Sequence, residues 1–246
     1  MIPKKIHYCW FGRGKMPKLA IDCIKSWKKY CPDYEIKEWN EDNFDLNLYP
    51  YAKEAYENKK YAFVTDVVRL YALYTEGGIY MDTDVEVLKP LDKFLTHTAF
   101  SGFQQEQSET KIPTGLMASE KGGKWAEDNL NYYDGRHFIL PDGSFDLKTN
   151  VRTITELMLP YGIRLDNTYQ DFPNYITFYP KEYFCPVEHL NDIRLTENSY
   201  AIHYFAGSWL PWDEKMKKKF IRFLGKTNWN YIIKLRTLFK KIGGIA

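Results

Sequence analysis

Two aspartates separated by one residue, Asp82 and Asp84, are the side chains in this chain best suited to hold a divalent cation. They follow the short apolar segment 79–81, which predicts a strand. Residues two apart in an extended chain point to the same side, so both carboxylates can face one ligand. Carboxylate oxygens suit Mg²⁺ or Mn²⁺ that also holds substrate phosphates. Because a D-x-D triplet is a short motif, the elements around it decide what it means.

A helix is predicted immediately before that strand, over 62–75, because apolar residues recur there at helical spacing. Asp66 and Arg69 lie three residues apart on this helix and therefore share one face. Gly77 and Gly78 end it, since glycine adopts the left-handed conformation that a helix C-terminus needs. Taken alone, the D-x-D is as consistent with a solvated turn, and Asp66 and Arg69 with a surface ion pair. The order helix, Gly-Gly, strand and D-x-D favours a metal and sugar-nucleotide site.

The segment 61–91 resembles the D-x-D-containing sugar-binding region of glycosyltransferase family 32 and of the large clostridial glucosylating toxins. Further segments similar to the family are 2–12, 26–27, 31–35, 39–40, 183–186 and 203–209. The resemblance implies an α/β fold of the GT-A type, a single Rossmann-like domain in which helices flank a mixed central sheet. Many similar enzymes belong to bacterial capsule or exopolysaccharide synthesis.

The resemblance also implies roles at a donor site. Asp66 and Arg69 correspond to residues that hold hydroxyls of the donor sugar, and Tyr80 to a tyrosine near the sugar and phosphates. Asp82 is expected to contact the ribose and the metal, and Asp84 to bind the metal directly. The predicted catalytic set is therefore Asp66, Arg69, Asp82 and Asp84, with Mn²⁺ or Mg²⁺ as the cofactor.

The two ends of the similar region supply further candidates. Trp10, in the loop that leaves the first predicted strand, resembles a tryptophan that stacks on the nucleotide base, although a core position is the alternative. His203 is expected as a third metal ligand, and Ser208 and Trp209 as donors to phosphate oxygens. The commoner family form has a second His or a Trp before the final Ser-Trp, which this chain lacks, so a structural role for His203 stays open. His7 is expected to be structural.

The expected activity is transfer of a hexose from a nucleotide sugar to a saccharide acceptor, with retention of configuration implied by the resemblance. UDP-galactose, UDP-glucose and UDP-N-acetylglucosamine are the first donor candidates, and GDP-mannose is the alternative within the family. An acceptor-side base is not ranked among the loop carboxylates Glu106, Glu109, Asp142 and Asp146. A hydrolase or a non-catalytic carbohydrate-binding protein remains open, whereas no nucleic-acid motif is present.

Composition fits one globular domain and excludes few functions. A chain of 246 residues with 44% hydrophobic residues can form a complete α/β core. The four cysteines show no metal-binding spacing and are interpreted as reduced thiols. The N-terminus has no signal-peptide pattern, and no apolar run approaches 18 residues, so a cytoplasmic protein is expected.

The C-terminal segment 213–246 differs in charge from the rest of the chain. It contains ten basic and two acidic residues, with apolar residues interspersed at roughly helical spacing. This pattern is typical of an amphipathic helix on an anionic bilayer. The expectation is a catalytic domain over 1–212 and a tail that binds the inner face of the cell membrane, where a lipid-linked acceptor would lie. A C-terminal helix packed on the domain is the alternative.

The remaining elements are predicted from periodicity. Strands are expected at 4–10 and 34–39, and helices at 17–30, 51–60, 124–132 and 149–159. The helix 17–30 is expected to bury Leu19, Ile21, Ile24 and Trp27, and the helix 51–60 to be exposed. The Gly- and Pro-rich segment 110–148 is otherwise hard to assign.

Overall fold

The computed structural model describes residues 1–106, 109–187 and 192–207. The described residues form eleven strands: β1 (Lys5–Cys9), β2 (Glu35–Trp39), β3 (Gly78–Met81), β4 (Val85–Val87), β5 (Ala99–Gly102), β6 (Gln104–Glu106), β7 (Glu109–Lys111), β8 (Leu116–Ser119), β9 (Gln170–Phe172), β10 (Ile176–Tyr179) and β11 (Ala201–His203). They also form five α-helices: α1 (Lys18–Tyr30), α2 (Pro50–Glu57), α3 (Tyr61–Glu76), α4 (Lys124–Asn131) and α5 (Asn150–Met158).

A mixed sheet of seven strands lies at the centre, in the order β2-β1-β3-β8-β5-β10-β9. Strands β2, β1 and β3 are parallel, with His7 opposite Tyr80 across β1 and β3. Strand β8 is antiparallel to both of its neighbours, β3 and β5. Two smaller sheets pair β4 with β11 and β6 with β7. The predicted mixed central sheet with flanking helices is confirmed.

Hydrophobic cores cover both faces of the sheet, because side chains alternate along each strand. Along β3, Ile79 and Met81 enter the cluster that contains Trp27 of α1. Tyr80, between them, enters the opposite cluster, which contains Val64 and other buried residues of α3. Helices on two faces thus hold β3, and the D-x-D after it, in one orientation.

The Gly77–Gly78 pair sets the path from α3 into β3. Gly77 has φ 69° and ψ 176°, so its backbone is positive in φ but extended in ψ, unlike the left-handed cap expected from the sequence. A Cβ at Gly77 would lie 2.5 Å from the backbone N of Lys121, and one at Gly78 2.6 Å from the carbonyl O of Lys5. Both positions therefore require glycine.

The structure corrects two predictions about helix faces. In α1, Leu19 and Ile21 are exposed, whereas Ala20, Cys23 and Trp27 are buried. Ala20, Cys23 and Trp27 follow the spacing of one helical face, and the predicted Ile24 lies on the same side, partly buried against the cluster that contains Trp27. Helix α2 is also not simply exposed, because three of its residues are fully buried: Tyr51, Ala52 and Ala55.

Other expectations have mixed outcomes. His7 is structural as predicted: its Nε2 lies 2.7 Å from the carbonyl O of Gly77, and its Nδ1 accepts a hydrogen bond from Trp39. The four cysteines are free and buried.

Among the described residues, none of the helices is both long and apolar enough to cross a membrane. The tail 213–246 lies outside the described residues, so its membrane contact stays a prediction.

Candidate functional site

The predicted site residues meet at one edge of the central sheet. Trp10 directly follows β1, and Asp82 directly follows β3, the parallel neighbour of β1. Because parallel neighbours end at the same edge, these residues lie beside each other, where open α/β sheets place ligands. The β4–β11 pairing then sets His203 opposite Val85, one residue after Asp84. Residues more than 100 positions apart in sequence thus reach one place.

Asp82, Asp84 and His203 form a compact group of potential metal ligands. One ligand atom from each lies within 4.8 Å of the other two. His203 Nε2 is 3.3 Å from Asp84 Oδ1 and 3.9 Å from Asp82 Oδ2. The backbone N–H of Ala206 donates to Asp84 Oδ2 at 2.7 Å, which fixes that carboxylate. The predicted grouping of these three residues is therefore present in the geometry.

Arg69 joins helix α3 to the D-x-D. Its Nη1 donates to Asp66 Oδ1 at 2.7 Å, and its Nη2 donates to Asp82 Oδ1 at 3.3 Å. The Tyr80 hydroxyl donates to the same Asp82 oxygen at 2.8 Å, and the guanidinium lies 5.0 Å from the centre of the Tyr80 ring. Asp66 and Arg69 are buried, so they are not the surface ion pair that the sequence left open.

Asn150, at the start of α5, is a site residue that the sequence did not reveal. Its backbone N–H donates to Asp66 Oδ2 at 3.3 Å, and its Oδ1 accepts from Arg69 Nη1 at 3.4 Å. Its Nδ2 donates to the Tyr133 hydroxyl at 3.0 Å. Asn150 is buried and connects α5 to the Asp66–Arg69 pair. Because it is 81 residues from Arg69, no local pattern could have indicated this contact.

Gly115 is a second unpredicted residue at the site. Its carbonyl O accepts from the backbone N–H of Asp82 at 2.8 Å. A Cβ built on Gly115 would lie 2.7 Å from both Cε1 and Nδ1 of His203, closer than real side chains approach. The imidazole therefore occupies the space that any larger residue at position 115 would take.

The donor set fits a hard divalent cation. Two carboxylates and one imidazole are common ligands for such an ion, and all three face one point. His203 Nδ1 is buried and has no hydrogen-bond partner among the described residues. Burial alone would lower the pKa of His203, but the attraction of Asp84 raises it well above its usual value. The two carboxylates thus favour a positive charge at this point, and a bound cation would have to displace the proton of His203.

The carboxylates of the site differ in environment. Burial raises the pKa of Asp66 to about 7, while the Arg69 charge and the Asn150 backbone N–H act in the opposite direction. Burial also opposes ionisation of Asp84, but His203 and the Ala206 N–H outweigh it and lower the pKa of Asp84. Asp84 is therefore held ionised, as a metal ligand must be.

The remaining predicted residues have different positions. Trp10 is half-buried, and its indole N–H donates to the carbonyl O of Gly14 at 2.6 Å, within the loop that leaves β1. It therefore remains partly accessible beside Asp82, and base stacking stays a prediction. Ser208 and Trp209 lie outside the described residues. Tyr80 is buried: its ring packs against the Arg69 guanidinium, and its hydroxyl donates to Asp82.

Comparison with known families agrees with this geometry. Residues 17–101 match the family described as "Glycosyltransferase sugar-binding region containing DXD motif". This part of the chain is similar to that glycosyltransferase family. The matched sugar-binding region contains Asp66, Arg69, Tyr80, Asp82 and Asp84, but it ends before His203.

Related proteins include two fungal enzymes. The chain is 33% identical over 125 residues to inositol phosphoceramide mannosyltransferase 3 of Schizosaccharomyces pombe, covering 49% of this chain and 34% of that protein. It is 30% identical over 153 residues to the mannosyl phosphorylinositol ceramide synthase SUR1 of Saccharomyces cerevisiae, covering 56% of this chain and 37% of that protein. The chain thus spans about a third of the length of the curated relatives it matches.

Among solved structures, the PaToxG glycosyltransferase is similar, with a TM-score of 0.49 and 20% sequence identity, over 65% of this chain and 70% of that chain. The galactosyltransferase LgtC has a TM-score of 0.44 and 12% identity, over 89% and 94% of the two chains. The α/β fold itself rests on the seven-stranded sheet described above.

Proposed function

We propose that this protein is a metal-dependent glycosyltransferase that moves a hexose from a nucleotide sugar to a saccharide acceptor. One observation carries the proposal: Arg69 connects Asp66 to a group of Asp82, Asp84 and His203 that is suited to a divalent cation. The match of residues 17–101 to a glycosyltransferase sugar-binding region supports it. A non-catalytic carbohydrate-binding protein does not need a D-x-D that is joined to Asp66 through Arg69.

In the proposed reaction, each side chain has a stated task. A divalent cation at Asp82, Asp84 and His203 would neutralise charge on the departing nucleoside diphosphate. Arg69 is fully charged at all relevant pH values and lies beside Asp82, so it adds positive charge next to the leaving group. Asp66 is held by Arg69 and Asn150, and its carboxylate is proposed to accept hydrogen bonds from sugar hydroxyls.

Retention of configuration is part of the proposal and comes from the family resemblance. A front-face reaction needs no enzyme nucleophile, because the bond from the anomeric carbon to the phosphate breaks as the bond to the acceptor oxygen forms. The leaving phosphate then takes the proton of the acceptor hydroxyl. Trp10 is proposed to stack on the nucleotide base, with Ser208 and Trp209 contributing donors to the phosphates.

Two donor classes are the candidates. The family resemblance favours UDP-galactose, UDP-glucose or UDP-N-acetylglucosamine. The names of several fungal relatives, which are mannosyltransferases, favour GDP-mannose. Inositol phosphoceramide in the name of one relative also supports a lipid-borne acceptor, in line with the proposed membrane contact of segment 213–246. Placement at the inner face of a cell membrane is proposed from the charge of segment 213–246, and a role in capsule or exopolysaccharide synthesis from the resemblance.

The test is hydrolysis of a panel of UDP- and GDP-sugars, measured with Mn²⁺, with Mg²⁺ and with a chelator. Wild type should cleave one donor only with metal, and Asp84→Ala should lose at least 100-fold of that rate. Asp134→Ala is the control, because Asp134 is an exposed aspartate that is not part of the metal-ligand group. Equal rates in the presence of chelator, or no cleavage of any donor, would contradict the proposal.

A further inference from the structure

A cleft of about 540 Å³ opens between strand β7 and helix α5. Its walls are Glu109, Thr110 and Lys111 of β7, and Arg152, Thr155 and Glu156 of α5. This volume is within the usual range for small-molecule sites, roughly 300–1,000 Å³. None of these residues belongs to the donor site described above.

The two walls of the cleft are held together by hydrogen bonds. The backbone N–H of Ile112, which follows β7, donates to Thr155 Oγ1 at 3.2 Å. The Thr155 hydroxyl in turn donates to the carbonyl O of Val151 at 2.7 Å. Because Thr155 is buried and its hydroxyl both accepts and donates a hydrogen bond, the floor of the cleft is preformed.

Both walls are continuous in the chain with residues that contact the proposed donor site. Helix α5 begins at Asn150, whose backbone N–H donates to Asp66. Thr155 is five residues further along, a rise of about 8 Å in a helix. On the other wall, Gly115 lies four residues beyond Lys111, at most about 14 Å in extended chain. Gly115 contacts the His203 ring and accepts from Asp82.

We propose that this cleft binds the sugar units next to the reacting hydroxyl of a saccharide acceptor. The inference rests on the proposed function, because an acceptor must lie beside the donor sugar for transfer to occur. The geometry points to this cleft, since each wall runs from a residue that contacts the donor group. Glu109 and Lys111 on one side, and Arg152 and Glu156 on the other, offer hydrogen-bond acceptors and donors to sugar hydroxyls.

The charges of the cleft select the class of saccharide. Two acidic and two basic side chains line it: Lys111 lies 3.2 Å from Glu109, and Arg152 lies 2.7 Å from Glu156. Glu156 also pairs at 2.6 Å with Lys148, which is outside the lining. Balanced charge gives no attraction for an anionic ligand. Leu165 adds an apolar surface for sugar C–H groups. An uncharged oligosaccharide therefore fits better than a phosphorylated or uronic-acid glycan.

The experiment compares Arg152→Trp with Arg194→Trp. The indole should fill the cleft, and the matched control introduces the same residue outside it. Both arginines are similarly exposed, at 72% and 71% of the side chain, and each pairs with one carboxylate, so neither change should unfold the protein. Labelled proteins would be applied to an array of neutral and anionic oligosaccharides, and hydrolysis of the sugar nucleotide by water would be measured in parallel.

We expect wild type and Arg194→Trp to bind the same neutral glycans, and Arg152→Trp to bind them at least tenfold more weakly. Donor hydrolysis should stay within about twofold in all three proteins. Unchanged glycan binding by Arg152→Trp, binding of anionic glycans alone, or no glycan binding by wild type would overturn the cleft assignment. Absence of donor hydrolysis in wild type contradicts the proposed function itself and removes the basis of this inference with it.

Discussion

Arg69 and Asp82 are joined across two elements of the fold: Arg69 Nη2 on helix α3 donates to Asp82 Oδ1 after strand β3 at 3.3 Å. The other nitrogen of the same guanidinium, Nη1, donates to Asp66. A planar fork with two separate nitrogens is needed to hold both carboxylates, and only arginine provides it.

Arg69→Lys should therefore separate the two halves of the site. Lysine keeps the charge but cannot donate to Asp66 and Asp82 in the same geometry, and one buried carboxylate loses its partner. We expect donor hydrolysis to fall about 100-fold and the free energy of unfolding to drop by about 3 kcal/mol. Steady-state kinetics and urea unfolding measure the two effects. Arg164→Lys, at an exposed arginine, is the control, and equal losses in both variants would refute the bridging role.

Gly115→Ala should weaken metal binding through His203. The added Cβ would lie 2.7 Å from two atoms of the imidazole ring, so the ring must move from the carboxylates. We expect Mn²⁺ affinity to fall about tenfold, since displacement of a ligand or its support has effects of that size. The control is Gly14→Ala, where the new methyl group meets nothing within 4 Å. Titration calorimetry with Mn²⁺ measures the difference, and a Gly115→Ala affinity equal to that of Gly14→Ala would contradict the packing argument.

His7 should make stability depend on pH in the acid range. Burial lowers the pKa of His7 to about 4, below the 6.5 of an unfolded chain. The unfolded state therefore binds the proton first, so this contribution is complete above pH 6.5 and is lost as pH falls towards 4. The difference corresponds to about 3 kcal/mol.

The measurement is the free energy of unfolding from pH 7 to pH 4 for wild type, His7→Gln and His137→Gln. His7→Gln should be less stable at pH 7 but show a pH dependence flatter by about 3 kcal/mol. His137 is exposed but pairs with Glu54 and helps to lower the pKa of that carboxyl, so His137→Gln should flatten the slope by less than His7→Gln does. Parallel curves for wild type and His7→Gln would show that folding does not change the pKa of His7, contrary to this account.

Residues 213–246 should carry the protein to anionic membranes, if their ten basic residues act as proposed. Full-length protein should sediment with vesicles of phosphatidylglycerol and phosphatidylcholine but not with pure phosphatidylcholine, and binding should weaken with added salt. The chain without 213–246 should remain in the supernatant. Equal sedimentation of the full-length and shortened chains would rule out the tail as the membrane contact.

Local patterns predicted much of this site, because its central part is local. Asp66 and Arg69 lie on one helix, and Asp82 and Asp84 directly follow the next strand, so the order of these elements indicated that they act together. Glycosyltransferase resemblance added His203, which reaches the site through the β4–β11 pairing. That pairing joins segments far apart in the chain, and the periodicity of either segment cannot predict it.

Other features depended on long-range packing and were missed. Strand β8 enters the sheet antiparallel between β3 and β5, in a segment whose glycines and prolines obscured the pattern. Asn150 and Gly115 matter through what contacts them, and a single asparagine or glycine gives no such signal in sequence. On α1, hydrophobicity suggested Leu19 and Ile21 for the core, but the helical period places Ala20 and Cys23 there.

The central claim is that Asp82, Asp84 and His203 form the metal site. Its most direct test is Mn²⁺ binding in the presence of UDP or GDP, measured by electron paramagnetic resonance. Wild type and Asp134→Ala should each bind one Mn²⁺ per chain, and Asp84→Ala and His203→Ala should each bind at least tenfold more weakly. The same Mn²⁺ affinity in all four proteins would show that Asp82, Asp84 and His203 do not form the metal site.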